Sequence, residues 1–224
     1  MTERNRGRKL TLMENGVSKW RIALLEGASE AERFAARELQ EHLELVGGVK
    51  LPIVEAAADA RDARAAAEIR IGCARDLAAE EGDLAPEEAE LGSEEYIVRT
   101  AGDRMVIAGG RPRGALYGVY AFLERELGVR WFTPSVTHAP KRETVEIDGG
   151  LNFREQPAFE YRDVYFTEAN QSPLWSVRNR INGHHKKLDA TMGGGVQYAG
   201  PFVHSFDQLV PVKEYYDEHP EYFS

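Results

Sequence analysis

Residues 109–134 read GGRPRGALYGVYAFLERELGVRWFTP, and this stretch decides how the rest of the chain is interpreted. It opens on two glycines, continues as a densely apolar helix, and passes Gly128 into a short aromatic strand that Pro134 ends. A helix that is apolar on nearly all sides must be covered on nearly all sides. The stretch therefore predicts a buried helix on a sheet formed by the preceding residues, with a second unit after it.

The composition is that of an ordinary globular protein of 224 residues, 42% of them hydrophobic and 29% charged. A formal net charge of −9 argues against nucleic acid as a partner, because phosphate contacts need a basic surface. No apolar run approaches the length of about 18 residues that a membrane span needs. The N-terminus lacks the apolar segment of a signal peptide, which predicts a cytoplasmic protein. The single cysteine, Cys73, excludes an intramolecular disulfide.

The residues on both sides of the central stretch, up to residue 149, predict a mixed sheet. Ser29 and Glu32 have the spacing of a capping box, so a helix is expected from there to about Val46. Apolar and β-branched runs predict strands at Trp20–Leu25, Leu51–Val54, Glu68–Gly72, Glu94–Arg99, Arg104–Ala108 and Thr144–Ile147. The turn at Thr100–Asp103 makes the fourth and fifth of these a hairpin, so at least one pair is antiparallel.

Two segments of this part are ambiguous. Ala56–Ala67 fits either a poorly packed helix or a surface loop. Arg75–Leu91 is markedly acidic, and a solvated helix face or loop explains it better than an acidic binding patch.

The character of the chain changes near Gly149, after which aromatic residues become frequent. The predicted elements are a strand at Phe159–Phe166, a helix over Ser172–Ile181, a strand at Phe202–Phe206 and a short helix at Val212–His219. The order begins a βαβ pattern. The predicted class is α/β (α+β): a mixed sheet with helices packed on it over residues 1–149, followed over 150–224 by the first strands and helix of an incomplete (β/α)8 barrel.

Two parts of the chain resemble known families. The unit that ends in Gly114–Gly118 and Trp131-Phe132 is similar to the N-terminal accessory domain of α-glucuronidases, with related domains in β-hexosaminidases and α-N-acetylglucosaminidases. The segments WSVRNRIN and FVHSFDQLVPVKEYYDEHPEYFS resemble a bacterial family known as a domain of unknown function, at the front of its barrel.

The resemblance implies a carbohydrate-processing protein, with uronic-acid or N-acetylhexosamine sugars as ligands and a glycoside hydrolase as the parent enzyme. It also implies that the catalytic carboxylates lie on later strands than those present, so the catalytic residues are unknown and this piece is expected not to catalyse. The alternative is a non-catalytic carbohydrate-binding or structural interaction module.

Four residues are candidates for sugar contact. Arg162 lies in an apolar strand pattern, where a charge must be paired or face a ligand; a buried ion pair with Asp163 or Asp207 is the alternative. In β-hexosaminidase-like barrels an arginine at the end of the first strand holds sugar hydroxyls, and Arg162 matches it in position. The resemblance likewise places His204 at the barrel mouth. Asn182 is expected to cap its helix or face the site.

Trp175, the fourth candidate, and Trp131 offer flat faces that suit a pyranose ring, with core packing as the alternative. The acidic residues near the predicted strand ends are Asp163, Glu168 and Asp207, for which solvation or salt bridging is the default expectation. Glycoside hydrolysis needs two carboxyls about 5 Å apart for retention or roughly 6.5–9.5 Å for inversion.

A cofactor and a metal are not expected. Adjacent histidines on a strand point to opposite faces, so His184-His185 with His204 do not have metal-site spacing. The glycines at 193–195 lack the Lys-Ser/Thr of a phosphate loop. An unfinished barrel would expose apolar surface, so residues 150–224 are expected either to fold back on the accessory domain or to drive self-association.

Overall fold

The computed structural model describes residues 7–55, 67–81, 84–200 and 203–223. Its central feature is a six-stranded sheet with the strand order β10-β5-β6-β4-β2-β3, and two small two-stranded sheets pair β1 with β9 and β7 with β8. The strands are β1 Lys9–Glu14, β2 Trp20–Leu24, β3 Ile53–Glu55, β4 Ala67–Cys73, β5 Tyr96–Ala101, β6 Arg104–Gly109, β7 Arg130–Thr133, β8 Val136–His138, β9 Thr144–Asp148 and β10 Asn152–Glu155.

The sheet is mixed, as the sequence predicts. β3, β2, β4 and β6 are parallel neighbours, while β5 pairs antiparallel with both β6 and β10. The predicted hairpin is confirmed, with Tyr96 opposite Gly109 and Ala101 opposite Arg104. β10 lies beyond residue 149 and still forms the edge of this sheet. The division into two units at residues 149 and 150 remains a prediction.

The helices are α1 Glu30–Gly47, α2 Ala74–Glu81, α3 Gly114–Arg125, α4 Thr167–Gln171, α5 Pro173–Arg178, α6 Phe206–Leu209 and α7 Val212–Tyr215. The predicted capping box opens α1: the Glu32 amide donates to Ser29 Oγ at 3.2 Å, and the Ser29 amide donates to Glu32 Oε2 at 2.7 Å. Gly48 ends the helix at φ +74°, a left-handed conformation that favours glycine.

The apolar helix of the central stretch is α3, and its residues Gly114–Leu123 are all buried. It packs beside α1 on one face of the sheet, whereas α2 covers a smaller apolar cluster on the other face. Gly118 permits the close approach of helix and sheet, because a Cβ there would lie 2.8 Å from Ile107 Cγ2. The predicted burial of this helix against the sheet is confirmed.

His42 on α1 joins that helix to Trp131 on β7. Its Nε2 accepts from the Trp131 indole N–H at 2.9 Å, so its Nδ1 carries the proton that bonds to the Glu38 carbonyl at 2.7 Å. The imidazole is buried and neutral in this arrangement. Burial is the main cause that lowers the pKa of His42 below its usual 6.5, although the Glu38 carbonyl acts in the opposite direction.

This histidine should make the protein less stable in mild acid. The unfolded chain binds a proton at His42 more readily than the folded chain, so the free energy of unfolding should fall as the pH drops below about 6.5, by up to about 1.4 kcal/mol per unit. Urea unfolding at a series of pH values measures the slope. A His42→Gln variant should show a flatter dependence in this range, and an unchanged slope would contradict the assignment.

Two expected strands are absent, and one strand was not expected. Phe159–Phe166 is not a strand, and neither is 203–206; Phe202 lies outside the described residues. β1 was not predicted from its alternating sequence, and it pairs with β9. Beyond β10 the described residues form short helices and turns without a strand. The ambiguous segment at Ala56–Ala67 falls outside the described residues except for Ala67.

None of the helices in the described ranges is long and apolar enough to cross a membrane.

Candidate functional site

A buried carboxylate, Glu94, lies where the sheet meets the segment that follows it. Glu94 precedes β5 and is 8% exposed. Arg113, at the start of α3, donates from Nε to Glu94 Oε1 at 2.9 Å. From the later segment, Arg162 Nη1 lies 2.8 Å from Oε2, and Asn182 Nδ2 donates to Oε1 at 2.8 Å. We call Glu94, Arg113, Arg162 and Asn182 the Glu94 cluster.

The electrostatics of this cluster keep the carboxylate ionised. Burial alone would raise the pKa of Glu94, but hydrogen bonds from Arg162 and Asn182 and the charges of Arg162 and Arg113 together lower it below its usual value. The guanidinium of Arg162 also contacts the Tyr117 hydroxyl at 3.3 Å and the Arg180 carbonyl at 2.7 Å. The cluster is therefore a satisfied polar network rather than an open site.

Other contacts attach the same later segment to the first unit. Arg178 makes a two-point ion pair with Glu38, at 2.7 and 2.9 Å, and Arg180 Nη2 lies 2.5 Å from Glu124 Oε2. Arg113 donates a second time, to the carbonyls of Gly193 and Gly194 at 2.9 and 3.0 Å. Residues 162–194 thus fold back on the sheet unit, one of the two outcomes expected from the sequence.

The structure brings together only some of the predicted sugar contacts. Arg162 and Asn182 meet at Glu94, so Arg162 is ion-paired, though with a different partner from the expected Asp163 or Asp207. Trp175 is half-buried: its indole N–H donates to the Trp131 carbonyl at 2.9 Å, and Phe166 packs edge-on against its ring at 5.6 Å. Sugar contact by these residues remains a prediction.

His204 lies apart from this group. It is exposed, has a left-handed φ of +52°, and within the described residues makes no hydrogen bond or ring contact. A barrel strand that would deliver it to a common site is absent from 203–206.

The backbone around Arg162 explains why no strand forms at Phe159–Phe166. The Arg162 amide donates to the Asn182 side chain at 2.9 Å, and the Asn182 amide donates to the Arg162 carbonyl at 3.1 Å. Asn182 Nδ2 also donates to the Glu160 carbonyl at 2.8 Å, and the Arg162 guanidinium bonds to the Phe159 carbonyl. These groups take the positions that a neighbouring strand would occupy.

The acidic candidates do not face one another as a catalytic pair. Asp163 is held by Lys186, whose Nζ lies 2.5 Å from Oδ1, and by the Tyr161 hydroxyl, which donates to Oδ2 at 2.7 Å. Burial opposes ionisation, yet Lys186 and Tyr161 lower the pKa of Asp163 below its usual value. Glu168 and Asp207 are exposed and belong to two different short helices.

A second group of side chains was missed by sequence reasoning. The hydroxyls of Tyr161, Tyr165 and Tyr198 converge above the Asp163–Lys186 pair, and we call these three residues the tyrosine cluster. Tyr198 donates to the Tyr161 hydroxyl at 2.5 Å. Desolvation is the main cause that raises the pKa of Tyr165, and a hydrogen bond with Tyr198 acts in the same direction. The aromatic density of the region was the only sequence signal, because loops bring the three rings together.

Two histidines border the tyrosine cluster. The His184 ring lies 5.3 Å from the Tyr198 ring, and the exposed His185 ring lies 6.0 Å from that of Tyr165. His184 Nδ1 accepts from the Tyr198 amide at 3.3 Å, so the neutral imidazole carries its proton on Nε2. Among the described residues, no group of three or more His, Cys, Asp or Glu side chains could hold a metal ion.

A shallow cavity of about 460 Å³ lies on the other side of Arg162. Its walls are formed by α3, the end of β10 and residues 179–180, and it includes the ion pairs Arg125–Glu155 and Arg180–Glu124. Every charged group named here has an ion-pair partner within the chain.

Comparison with known proteins relates two parts of the chain to two families. Residues 13–122 match the family described as glycosyl hydrolase family 67 N-terminus, and residues 131–224 match a domain of unknown function, DUF4838. The first part is therefore an N-terminal domain of glycoside hydrolase-like proteins, as the resemblance in its sequence indicates. No curated protein gives a significant match.

Several solved structures are similar to part of this chain. A family GH115 4-O-methyl-α-glucuronidase with specificity for decorated arabinogalactans is 19% identical, with a TM-score of 0.47 over 69% of this chain and 19% of its own. The GH20 β-N-acetylhexosaminidase of Streptomyces coelicolor A3(2) is 14% identical, with a TM-score of 0.46 over 79% of this chain and 31% of its own. A Streptomyces plicatus β-hexosaminidase is 15% identical, with a TM-score of 0.43 over 74% of this chain and 30% of its own. The chain spans less than a third of the length of each.

Proposed function

We propose that this chain is the front part of a carbohydrate-processing enzyme, in which the N-terminal unit holds the beginning of the following domain in position without catalysing the reaction itself. The enzyme would be a glycoside hydrolase of the α-glucuronidase or hexosaminidase type, with a barrel, acting in the cytoplasm of a bacterium. The observation that carries the proposal is the Glu94 cluster, a buried polar network that joins residues on both sides of the predicted boundary.

The state of the carboxylates supports the absence of catalysis in this chain. A glycosidase general acid must hold a proton near neutral pH and therefore needs a raised pKa. The pKa of Asp163 is lowered instead, and both of its oxygens are hydrogen-bonded within the fold. Glu168 and Asp207 are exposed and lie on two different short helices, α4 and α6.

Incubation with aryl glycosides tests this proposal. The purified chain should release no nitrophenol from nitrophenyl α-glucuronides or from nitrophenyl N-acetyl-β-hexosaminides, because Asp163, the buried acidic candidate, is held by Lys186 and Tyr161. Boiled protein gives the background rate. Enzyme-dependent release that disappears in Asp163→Asn or Glu168→Gln would overturn the non-catalytic role and place the chemistry in this chain.

The second candidate is a non-catalytic binding or structural module. It is favoured by the apolar side chains that residues 203–223 expose, including Phe206, Leu209 and Tyr222 at 50%, 67% and 49%. Such a surface is typical of contacts with a protein partner or a second copy. Sedimentation of the chain over a range of concentrations distinguishes the two candidates, since concentration-dependent association favours an interaction module.

A further inference from the structure

We infer that the tyrosine cluster, together with His184, is a binding subsite for a neutral, hydroxylated ring, such as an uncharged pyranose. The inference rests on the proposed function for the general class of ligand. It adds a location formed by residues other than those of the Glu94 cluster, and a preference for neutral over carboxylate-bearing sugars.

The first step of the argument is the direction of the hydrogen bonds. Tyr198 donates to Tyr161, which donates to Asp163, and Asp163 is held by the fully buried Lys186. Lys186 is fixed in turn by the Val164 carbonyl and by the Asn170 side chain, both at 2.6 Å. Each hydroxyl in this series of hydrogen bonds therefore donates toward the buried Asp163–Lys186 pair. Polarisation along such a chain strengthens the outer hydroxyl oxygens as acceptors.

The second step is the complementary donor. The His184 ring is held against Tyr198 by the hydrogen bond from the Tyr198 amide to Nδ1, which leaves an N–H donor on Nε2. An acceptor hydroxyl beside an imidazole donor matches a sugar hydroxyl, which both donates and accepts.

The third step is the apolar platform. The Tyr165 side chain is 63% exposed, and its ring is supported by Lys186 Nζ at 5.9 Å and by His185. An exposed aromatic face held by neighbours suits the apolar face of a pyranose. The site thus offers both elements of sugar recognition, polar groups that fix orientation and a ring that contacts C–H groups.

The charge balance decides the class of sugar. In the described part of the chain, the charged groups beneath the tyrosines are Asp163 and Lys186, and these are paired with each other at 2.5 Å. Lys186 is fully buried and cannot reach a ligand. A carboxylate-bearing sugar would thus meet a lysine whose charge Asp163 already neutralises, whereas a neutral ring needs no counter-ion.

Titration of the full ¹⁵N-labelled chain tests the inference. The probes are methyl β-glucopyranoside, methyl N-acetyl-β-glucosaminide and glucuronic acid, with glycerol as a control that has hydroxyls but no ring. We expect saturable shifts with the two methyl glycosides at amides of residues 161–165, 184–186 and 198, and weaker binding of glucuronic acid. Equal or tighter binding of glucuronic acid would overturn the neutral preference.

Three variants separate the cluster from other tyrosines. Tyr198→Phe and Tyr165→Ala should each weaken methyl glycoside binding about 5-fold to 10-fold, the scale of one hydrogen bond or ring contact. Tyr215→Phe, on α7 and 39% exposed, is the matched control and should bind as the wild type does. Tyr165 is largely exposed, so its variant stays folded even if Tyr198→Phe does not, and a thermal melt checks both.

Two results would overturn the inference. One is an unchanged Kd in folded Tyr165→Ala, and the other is the absence of shifts at the cluster amides. Neither result bears on the proposed function, which is tested separately. Hydrolysis of aryl glycosides by this chain is the result that would overturn it. Shifts confined to the cavity beside Arg162 would move the sugar site there and leave the proposed function standing.

Discussion

Replacing Glu94 with alanine should lower the free energy of unfolding by about 3–5 kcal/mol, the cost of leaving buried charges without their partner. Arg113 is 8% exposed, and the Arg162 side chain is 18% exposed, so water cannot fully replace the lost carboxylate. Asn182, which is fully buried, would also lose an acceptor. Urea unfolding followed by circular dichroism measures the loss.

The location of the damage distinguishes this prediction from a general loss of stability. Because Glu94 joins the sheet unit to the later segment, limited proteolysis of the variant should cut first within residues 156–200. Glu94→Gln keeps the shape of the side chain and one acceptor oxygen, so its free energy of unfolding should lie between those of Glu94→Ala and the wild type. Glu90→Ala is the matched control, since Glu90 pairs with Arg75 in solvent and both side chains are more than two-thirds exposed.

The pKa of Glu94 adds a test in acid. Its folded pKa lies below the usual value, so its contribution is complete above about pH 4.5 and is lost as the pH falls through the folded pKa. Glu94→Ala should therefore unfold with a flatter pH dependence than the wild type below pH 4.5. A loss of less than about 1 kcal/mol at pH 7 would show that the cluster does not hold the two units together.

Replacing Lys186 with methionine should have an effect of similar size, about 3–5 kcal/mol, because Asp163 would keep a buried charge without its counter-ion. The two side chains are 0% and 3% exposed, the most buried ion pair in the described residues. The variant also leaves the Val164 carbonyl and the Asn170 side chain without their donor. Chemical denaturation and hydrogen exchange of residues 161–188 provide the measurement.

A second substitution shows that charge, not volume, causes the loss. Combining Lys186→Met with Asp163→Asn removes the uncompensated charge, and the amide oxygen of the introduced asparagine can still accept from Tyr161. The double variant should regain at least about 1 kcal/mol relative to Lys186→Met. Lys187→Met is the control at the next position, where the side chain is exposed. Equal stability of the single and double variants would argue against an electrostatic origin.

The elements that the sequence predicts correctly depend on residues close to one another along the chain. The capping box at Ser29 spans three positions, the hairpin is defined by a short turn, and the central helix is defined by its own apolar density. Local hydrogen bonds and burial of a continuous apolar stretch are decided within a few residues. The mixed sheet with helices follows from these elements and needed no other information.

The errors occur where distant residues compete for the backbone. The alternating pattern of Phe159–Phe166 is that of a strand, but Asn182 and the Arg162 side chain occupy its hydrogen-bonding groups. Among the candidate site residues, Arg162 was expected to be paired or to face a ligand because of its charge, and it is ion-paired. The partner is Glu94, which lies far from Arg162 in the sequence. A pattern of neighbouring residues does not reveal such a partner.

The sequence by itself determined the mixed sheet, the buried helix at Gly114–Arg125 and the relation to glycoside hydrolase N-terminal domains, because these are properties of contiguous segments. Only the tertiary structure decided which side chains meet. Asn182 and Glu94 are 88 positions apart and Tyr198 and Tyr161 are 37 apart, yet each pair is in hydrogen-bond contact. Such contacts arise when the later segment packs on the sheet, so their geometry is set by packing rather than by sequence spacing.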